Sequence, residues 1–181
     1  MRRTIATITA LLTAGLAFLA APAAADAAPY CGLRWGSLPE RAGATETAPL
    51  TGVRAGRHAC FDRLVLDFAD DADGYVVRYV SSVRMDGSGQ TVPLRGGADL
   101  EIVAIAPAYD DAGRPTYTPR TPGELVRVSD WRTFRQVAWA GSFEGQTTIG
   151  LGVRARLPFR AFTLDGPGAG SRLVIDVAHR W

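Results

Sequence analysis

From Phe61 to the C-terminus, apolar and polar side chains alternate in short runs, and no stretch keeps a 3.6-residue period for three turns. Leu64, Leu66 and Phe68 interleave with Arg63, Val65 and Asp67, the period-two signature of a strand with one face in a core. Asp70-Asp71-Ala72-Asp73-Gly74 reads as a turn and Tyr75–Val80 as a second β-rich run, so the two runs are expected to form a hairpin. A further turn at Asp86-Gly87-Ser88-Gly89 precedes strands near 91–94 and 100–106. Strand character returns at 134–140, 147–156, 159–164 and 172–178, with a short helical turn expected at Asp130-Trp131-Arg132. Short strands punctuated by Gly and Pro predict an all-β fold, a small sandwich of short antiparallel strands.

Two stretches break the rhythm. Residues 29–58 are rich in Gly, Pro, Ala and Thr and show no period, so residues 28–59 are expected to form an irregular N-terminal arm ahead of a domain at 60–181. Residues 107–124 hold Pro107, Pro115, Pro119 and Pro122 among aromatic and charged side chains. A loop of that length in a compact domain is functional or mobile. There is also an internal echo. Asp62-Arg63-Leu64-Val65-Leu66-Asp67-Phe68 and Ser171-Arg172-Leu173-Val174-Ile175-Asp176-Val177 share Arg-Leu-Val-aliphatic-Asp, which places two strands in equivalent or neighbouring positions.

Ahead of the arm, Arg2-Arg3 precede an uncharged apolar stretch and the small-residue run Ala23-Ala24-Ala25-Asp26-Ala27-Ala28. That order is a secretory leader, expected over residues 1–27 with cleavage near Asp26 or Ala28. An uncleaved anchor is the alternative. The stretch is marginal against the ~20 apolar residues a bilayer requires, and no stable membrane insertion is expected after cleavage. The leader changes the charge balance. The chain holds 20 basic residues, all arginine, against 18 acidic ones, and two of the arginines lie in the leader. The remainder is close to neutral, which argues against a nucleic-acid partner. Absent lysine excludes Schiff-base and Ser–Lys chemistry. The two cysteines, Cys31 and Cys60, are expected to pair as a disulfide in an exported chain.

Candidate chemistry is sparse. The two histidines, His58 and His179, flank the first and last strands and would approach one another if those strands pair. A zinc site would need a third and usually a fourth ligand, so no metal is expected. Gly87-Ser88-Gly89 lacks the spacing of a nucleophile elbow, and Gly150-x-Gly152 is too short for a nucleotide fingerprint. The Asp70–Gly74 run fails the EF-hand template, because Ala69 and Val80 occupy positions that need carboxylates. No catalytic residue and no cofactor is expected, on the premise that two stacked layers leave no pocket where proton-transfer groups converge. Binding is the better expectation. Tyr109, Arg114, Tyr117 and Arg120 of the 107–124 loop are the candidate ligand contacts, with Trp35 and Trp131 as further candidates. Sugar rings stack on aromatic faces, and carboxylates suit the arginine fork.

The run 62–68, the run Tyr75–Val80 and the closing Arg172-Leu-Val-Ile-Asp-Val177 resemble the AMIN domain. The stretch Ala140-Gly-Ser-Phe-Glu-Gly-Gln-Thr-Thr-Ile-Gly-Leu-Gly152, then Leu157-Pro-Phe159 and Asp176-Val-Ala-His179, looks more specifically like the AMIN-like exported proteins of actinobacteria. The resemblance implies a β-sandwich that acts as a targeting module beside cell-wall amidases and envelope proteins, without being the catalytic part. The expected function is therefore an exported, non-enzymatic cell-envelope module, secreted and wall-associated, that binds peptidoglycan or an envelope protein. A small secreted hydrolase using His58 or His179, or a secreted inhibitor or structural protein, is the alternative.

Overall fold

In a computed structural model that describes residues 30–181, nearly all regular structure is antiparallel strand. The expected leader lies outside the described residues. After one 3₁₀ turn (Tyr30–Gly32), the strands are β1 (Glu40–Ala42), β2 (Leu50–Arg57), β3 (Phe61–Phe68), β4 (Tyr75–Val80), β5 (Val83–Arg84), β6 (Thr91–Val92), β7 (Ala98–Ala104), β8 (Phe134–Phe143), β9 (Gln146–Val153), β10 (Phe159–Asp165) and β11 (Ser171–Ala178). They form a five-stranded sheet in the order β1-β4-β7-β9-β8, a four-stranded sheet in the order β10-β11-β3-β2, and a small β5-β6 ribbon. Among the described residues no helix is long and apolar enough to cross a membrane.

The core lies between the two large sheets, and period-two alternation supplies it. Leu64, Leu66 and Phe68 of β3, Leu173, Ile175 and Val177 of β11, and Phe159 of β10 face inward from one sheet. They meet Tyr75, Val77, Leu100, Ile102, Phe134, Ile149 and Leu151 of the other. The strand expectations hold, with β5 added and the 91–94 run shortened to two residues.

Three local expectations are corrected. β3 and β4 do not form a hairpin: β3 pairs with β2 and β11, whereas β4 pairs with β1 and β7 in the opposite layer. The connection over 69–74 is an arch between sheets. Its Ala72 is buried and donates its N–H to Ser171 Oγ at 2.9 Å. Asp73 accepts from the Thr45 and Glu46 amides at 2.9 and 3.1 Å, so that carboxylate closes a turn instead of facing a cation. The 28–59 arm is irregular only in part, because β1 and β2 each add an edge strand to a large sheet. Residues 130–132 form no helical turn, since Asp130 sits at φ 67°, outside the helical region.

The β5-β6 ribbon packs Val83 and Val92 onto Ala138 and Ala140, covering the outer face of the five-stranded sheet. Close approach explains the Gly150-x-Gly152 pattern: a Cβ on Gly152 would stand 2.1 Å from the Arg95 carbonyl oxygen. Gly152→Ala is expected to lift the ribbon and cost about 2 kcal/mol, an overpacking-scale penalty that lowers Tm by roughly 4–8 °C. Gly43→Ala, with open space around its Cβ, is the control. Thermal denaturation followed by circular dichroism checks both.

Candidate functional site

Among the described residues no strand pair covers the outer face of the four-stranded sheet, and its outward positions are set by register. Arg160 of β10 lies opposite Asp176 of β11, which lies opposite Arg63 of β3, in one cross-strand row. Asp176 is 0% exposed. Arg63 donates to both its carboxylate oxygens at 2.6 and 2.8 Å, and Arg160 adds a bond of 2.9 Å. The Asp176 hydrogen bond holds the Arg63 guanidinium pKa above its ordinary value, against the opposing effect of burial. This row turns the sequence echo into a structural relation. The two echo strands are antiparallel neighbours, so Arg63 faces Asp176, and Arg172 faces Asp67. The halves differ in use, because Asp67 binds Arg54 at 2.8 and 2.9 Å, while Arg172 donates to the Asp165 carbonyl.

Three aromatic rings frame the row. The Arg160 guanidinium lies 4.5 Å from the Trp35 ring centre and 4.9 Å from that of Phe162, and Arg63 lies 5.3 Å from that of Phe61. Trp35 meets Phe61 edge-on at 5.4 Å. These rings are half-buried. Trp35 comes from the N-terminal segment, which the Cys31–Cys60 disulfide and the hydrogen bond from Phe159 N–H to the Gly36 carbonyl fasten to the sheet. Closing that loop contributes about 3–4 kcal/mol in the chain-entropy picture.

The platform runs into a cavity at the β2–β3 end. His58 stacks on Phe61, ring centres 4.5 Å apart, and also lines a cavity of about 470 Å³ with Arg57, Ala59, Asp62, Asp130, Arg132 and His179. Asp62 is buried, and its Oδ2 accepts the Thr133 and Phe134 amides at 2.8 and 3.1 Å. Its Oδ1 lies 3.2 Å from His179 Nε2, the ring nitrogen to which the proton is assigned because a carboxylate oxygen accepts. The premise that no proton-transfer groups converge is therefore corrected: strand pairing brings His58, Asp62 and His179 to one cavity. Among the described residues no group of three His, Cys, Asp or Glu side chains is placed to hold a metal ion. A second cavity of about 600 Å³, lined by Arg95, Glu124, Arg127, Asp130, Trp131 and Arg135 among others, adjoins it at Asp130.

The loop residues do not converge. Tyr109 accepts the Gly145 amide at 3.0 Å and borders a separate cavity of about 270 Å³. Arg114 is bound to Asp110 at 2.7 Å. Tyr117 packs on Trp139 with ring centres 5.6 Å apart, its phenol pKa raised by burial, and Arg120 is exposed. Sequence reasoning named Trp35 but missed Phe61, Arg63, Arg160, Phe162 and Asp176 as one site. The echo was the available signal, since it singled out the Arg and Asp positions.

The fold is a two-layer antiparallel sandwich whose four-stranded sheet carries arginine and aromatic side chains on its outer face. The chain belongs to the AMIN-like domain family, whose model matches residues 48–179. The match begins ahead of β2, so part of the expected arm falls inside it. No curated protein and no solved structure matches the chain. Membership in this family is compatible with a cell-envelope module, in a family generally non-catalytic and extracellular or periplasmic.

Asp176→Asn removes the only carboxylate in the Arg160–Asp176–Arg63 row. Removing one partner of a fully buried pair costs about 3–5 kcal/mol. Solvent contact of both guanidiniums reduces this to about 2 kcal/mol. Urea unfolding of the variant beside the parent checks the value, and an unchanged midpoint would contradict it.

Proposed function

We propose that this protein is an exported, non-enzymatic envelope module that binds peptidoglycan through the outer face of its four-stranded sheet. The observation that carries the reading is the Trp35–Phe61–Phe162 aromatic frame locked around Arg63 and Arg160. A pyranose ring offers C–H faces that stack on half-exposed aromatics, and the muramyl and peptide carboxylates suit guanidinium donors. Two further facts support it. The chain is in the AMIN-like family, and its N-terminal pattern is that of a secretory leader. The 107–124 loop takes a lesser part, because Tyr109, Tyr117 and Arg114 already hold partners within the domain.

The discriminating test is sedimentation with purified cell-wall sacculi at low salt. The parent protein is expected to co-sediment. Trp35→Ala is expected to lower the affinity about 10-fold, the loss of an aromatic anchor worth ~1.4 kcal/mol. Tyr109→Ala and Tyr117→Ala are expected to change it by less than about 2-fold, the scale of a near-neutral contact. Absence of retention overturns the wall reading and favours an envelope protein as partner. A second reading, a small hydrolase, draws on the buried Asp62–His179 pair. It requires soluble fragments to be released from the sacculi and the release to stop in His179→Gln.

A further inference from the structure

We infer that the two adjoining cavities beside the β2–β3 turn form one groove for a chain polyanion, a linear polymer with a negative charge on every repeat unit. The first observation is segregation of charge. The formal net charge is only +2, but the fold sorts the signs by position. Arg57, Arg95, Arg127, Arg132 and Arg135 line the two cavities, and Arg154 donates to the Arg132 and His179 carbonyls beside them. At the opposite end of β3 and β11, two further cavities are lined by Glu46, Asp71, Asp73 and Asp165, and by Asp110 and Asp111. Each of those strands has eight residues, so the two ends lie about 25 Å apart. That separation is about three Debye lengths at physiological salt, so each end presents its own field to a ligand.

The second observation is how little of the positive charge is answered. Among the described residues Arg57, Arg127 and Arg132 make no ion pair. Arg135 and Arg154 donate to backbone carbonyls, which carry no net charge to cancel theirs. Arg95 is paired with Glu124. Asp62 is buried and bound to two backbone amides, which leaves Asp130 as the carboxylate where the cavities meet. Extent then selects the ligand. The cavities measure about 600 and 470 Å³, with Arg127 lining the first and Arg57 and Arg132 the second. One small anion answers one of these positions. A chain with charges at regular intervals reaches all of them, and every contact releases counterions. The groove offers charge more than stacking. Trp131 lies parallel to Phe134 with ring centres 5.9 Å apart, and the Arg57 guanidinium lies 5.6 Å from its own ring centre. The ring a nucleobase would stack on is engaged within the domain, so the polymer is a polyphosphate or an anionic glycan and not a single-stranded nucleic acid. The carboxylate-lined end repels the same polymer, which fixes the direction of approach. This groove stands apart from the aromatic platform and does not depend on the peptidoglycan reading.

The test is fluorescence-anisotropy titration of the purified protein into labelled long-chain polyphosphate and labelled heparin, with inorganic phosphate as competitor. Sedimentation with phosphatidylglycerol vesicles runs beside it. At least one of the two chains is expected to bind, and which one binds tells a phosphate polymer from an anionic glycan. Its affinity is expected to fall roughly 15-fold between 50 and 200 mM salt, as for about three phosphate contacts. Inorganic phosphate, at equal phosphate concentration, is expected to compete about 10-fold less well or worse, because it lacks the linked charges. The triple variant Arg57→Gln, Arg127→Gln, Arg132→Gln is expected to bind about 10-fold more weakly or worse, with a flatter salt dependence. Arg41→Gln, Arg84→Gln, Arg120→Gln removes the same charge from exposed arginines outside the groove and is expected to stay within about 2-fold. Trp35→Ala is expected to leave polyanion binding unchanged, which separates this site from the platform. No binding of either chain, binding indifferent to salt, or equal loss in both triple variants overturns the groove. Inorganic phosphate competing at equal strength overturns the polymer class, and so does retention on the vesicles without binding of either soluble chain.

Discussion

The buried carboxylate of Asp176 is the constraint on which the candidate surface depends. A carboxylate with no solvent exposure is costly unless its oxygens are fully engaged, and here two arginines from the flanking strands engage them. Once held, those guanidiniums cannot roam as surface arginines do. They lie against Trp35, Phe61 and Phe162, where cation–π attraction adds about 0.5–2 kcal/mol per contact. The result is a rigid surface with ordered cationic and aromatic groups, in which binding would forfeit little side-chain entropy.

The two outer faces of the sandwich are treated differently, and the difference points the same way. The five-stranded sheet is roofed by the β5-β6 ribbon, for which Gly150 and Gly152 make room. Among the described residues the four-stranded sheet has no such ribbon over it. Within those residues the segment bearing Trp35 lies against it, and a disulfide fixes that segment beside the β2–β3 turn. The same turn holds His58 and borders the cavity floored by Asp62 and His179. Platform and cavity are thus consecutive parts of one surface, built from the ends and outward positions of β2, β3, β10 and β11.

Much of this architecture was legible in the alternation of side chains. Leu64, Leu66 and Phe68 declared the inward face of β3, and the cysteine pair was expected from number and compartment alone. Layer assignment was not legible. The Asp70–Gly74 run looks the same whether it turns back within one sheet or arches to the other, and only buried Ala72 and its bond to Ser171 decide the matter. The candidate site was harder still. Arg63 and Asp176 lie 113 positions apart, and Asp62 and His179 lie 117 apart, so each pair exists only through the β3–β11 register. The 107–124 loop drew attention because its aromatics and arginines are close in sequence. In the structure Tyr109, Arg114 and Tyr117 hold partners within the domain, and Arg120 is exposed.

The central claim is that recognition belongs to the outer face of the four-stranded sheet. Nitrogen–proton correlation spectra of the arginine Nε–H and tryptophan indole groups, recorded as soluble glycan-strand fragments are added, test it most directly. The account predicts shifts at Arg63, Arg160 and Trp35, with Arg114 and Arg120 unmoved. Shifts confined to Arg114, Arg120 and their neighbours would contradict it.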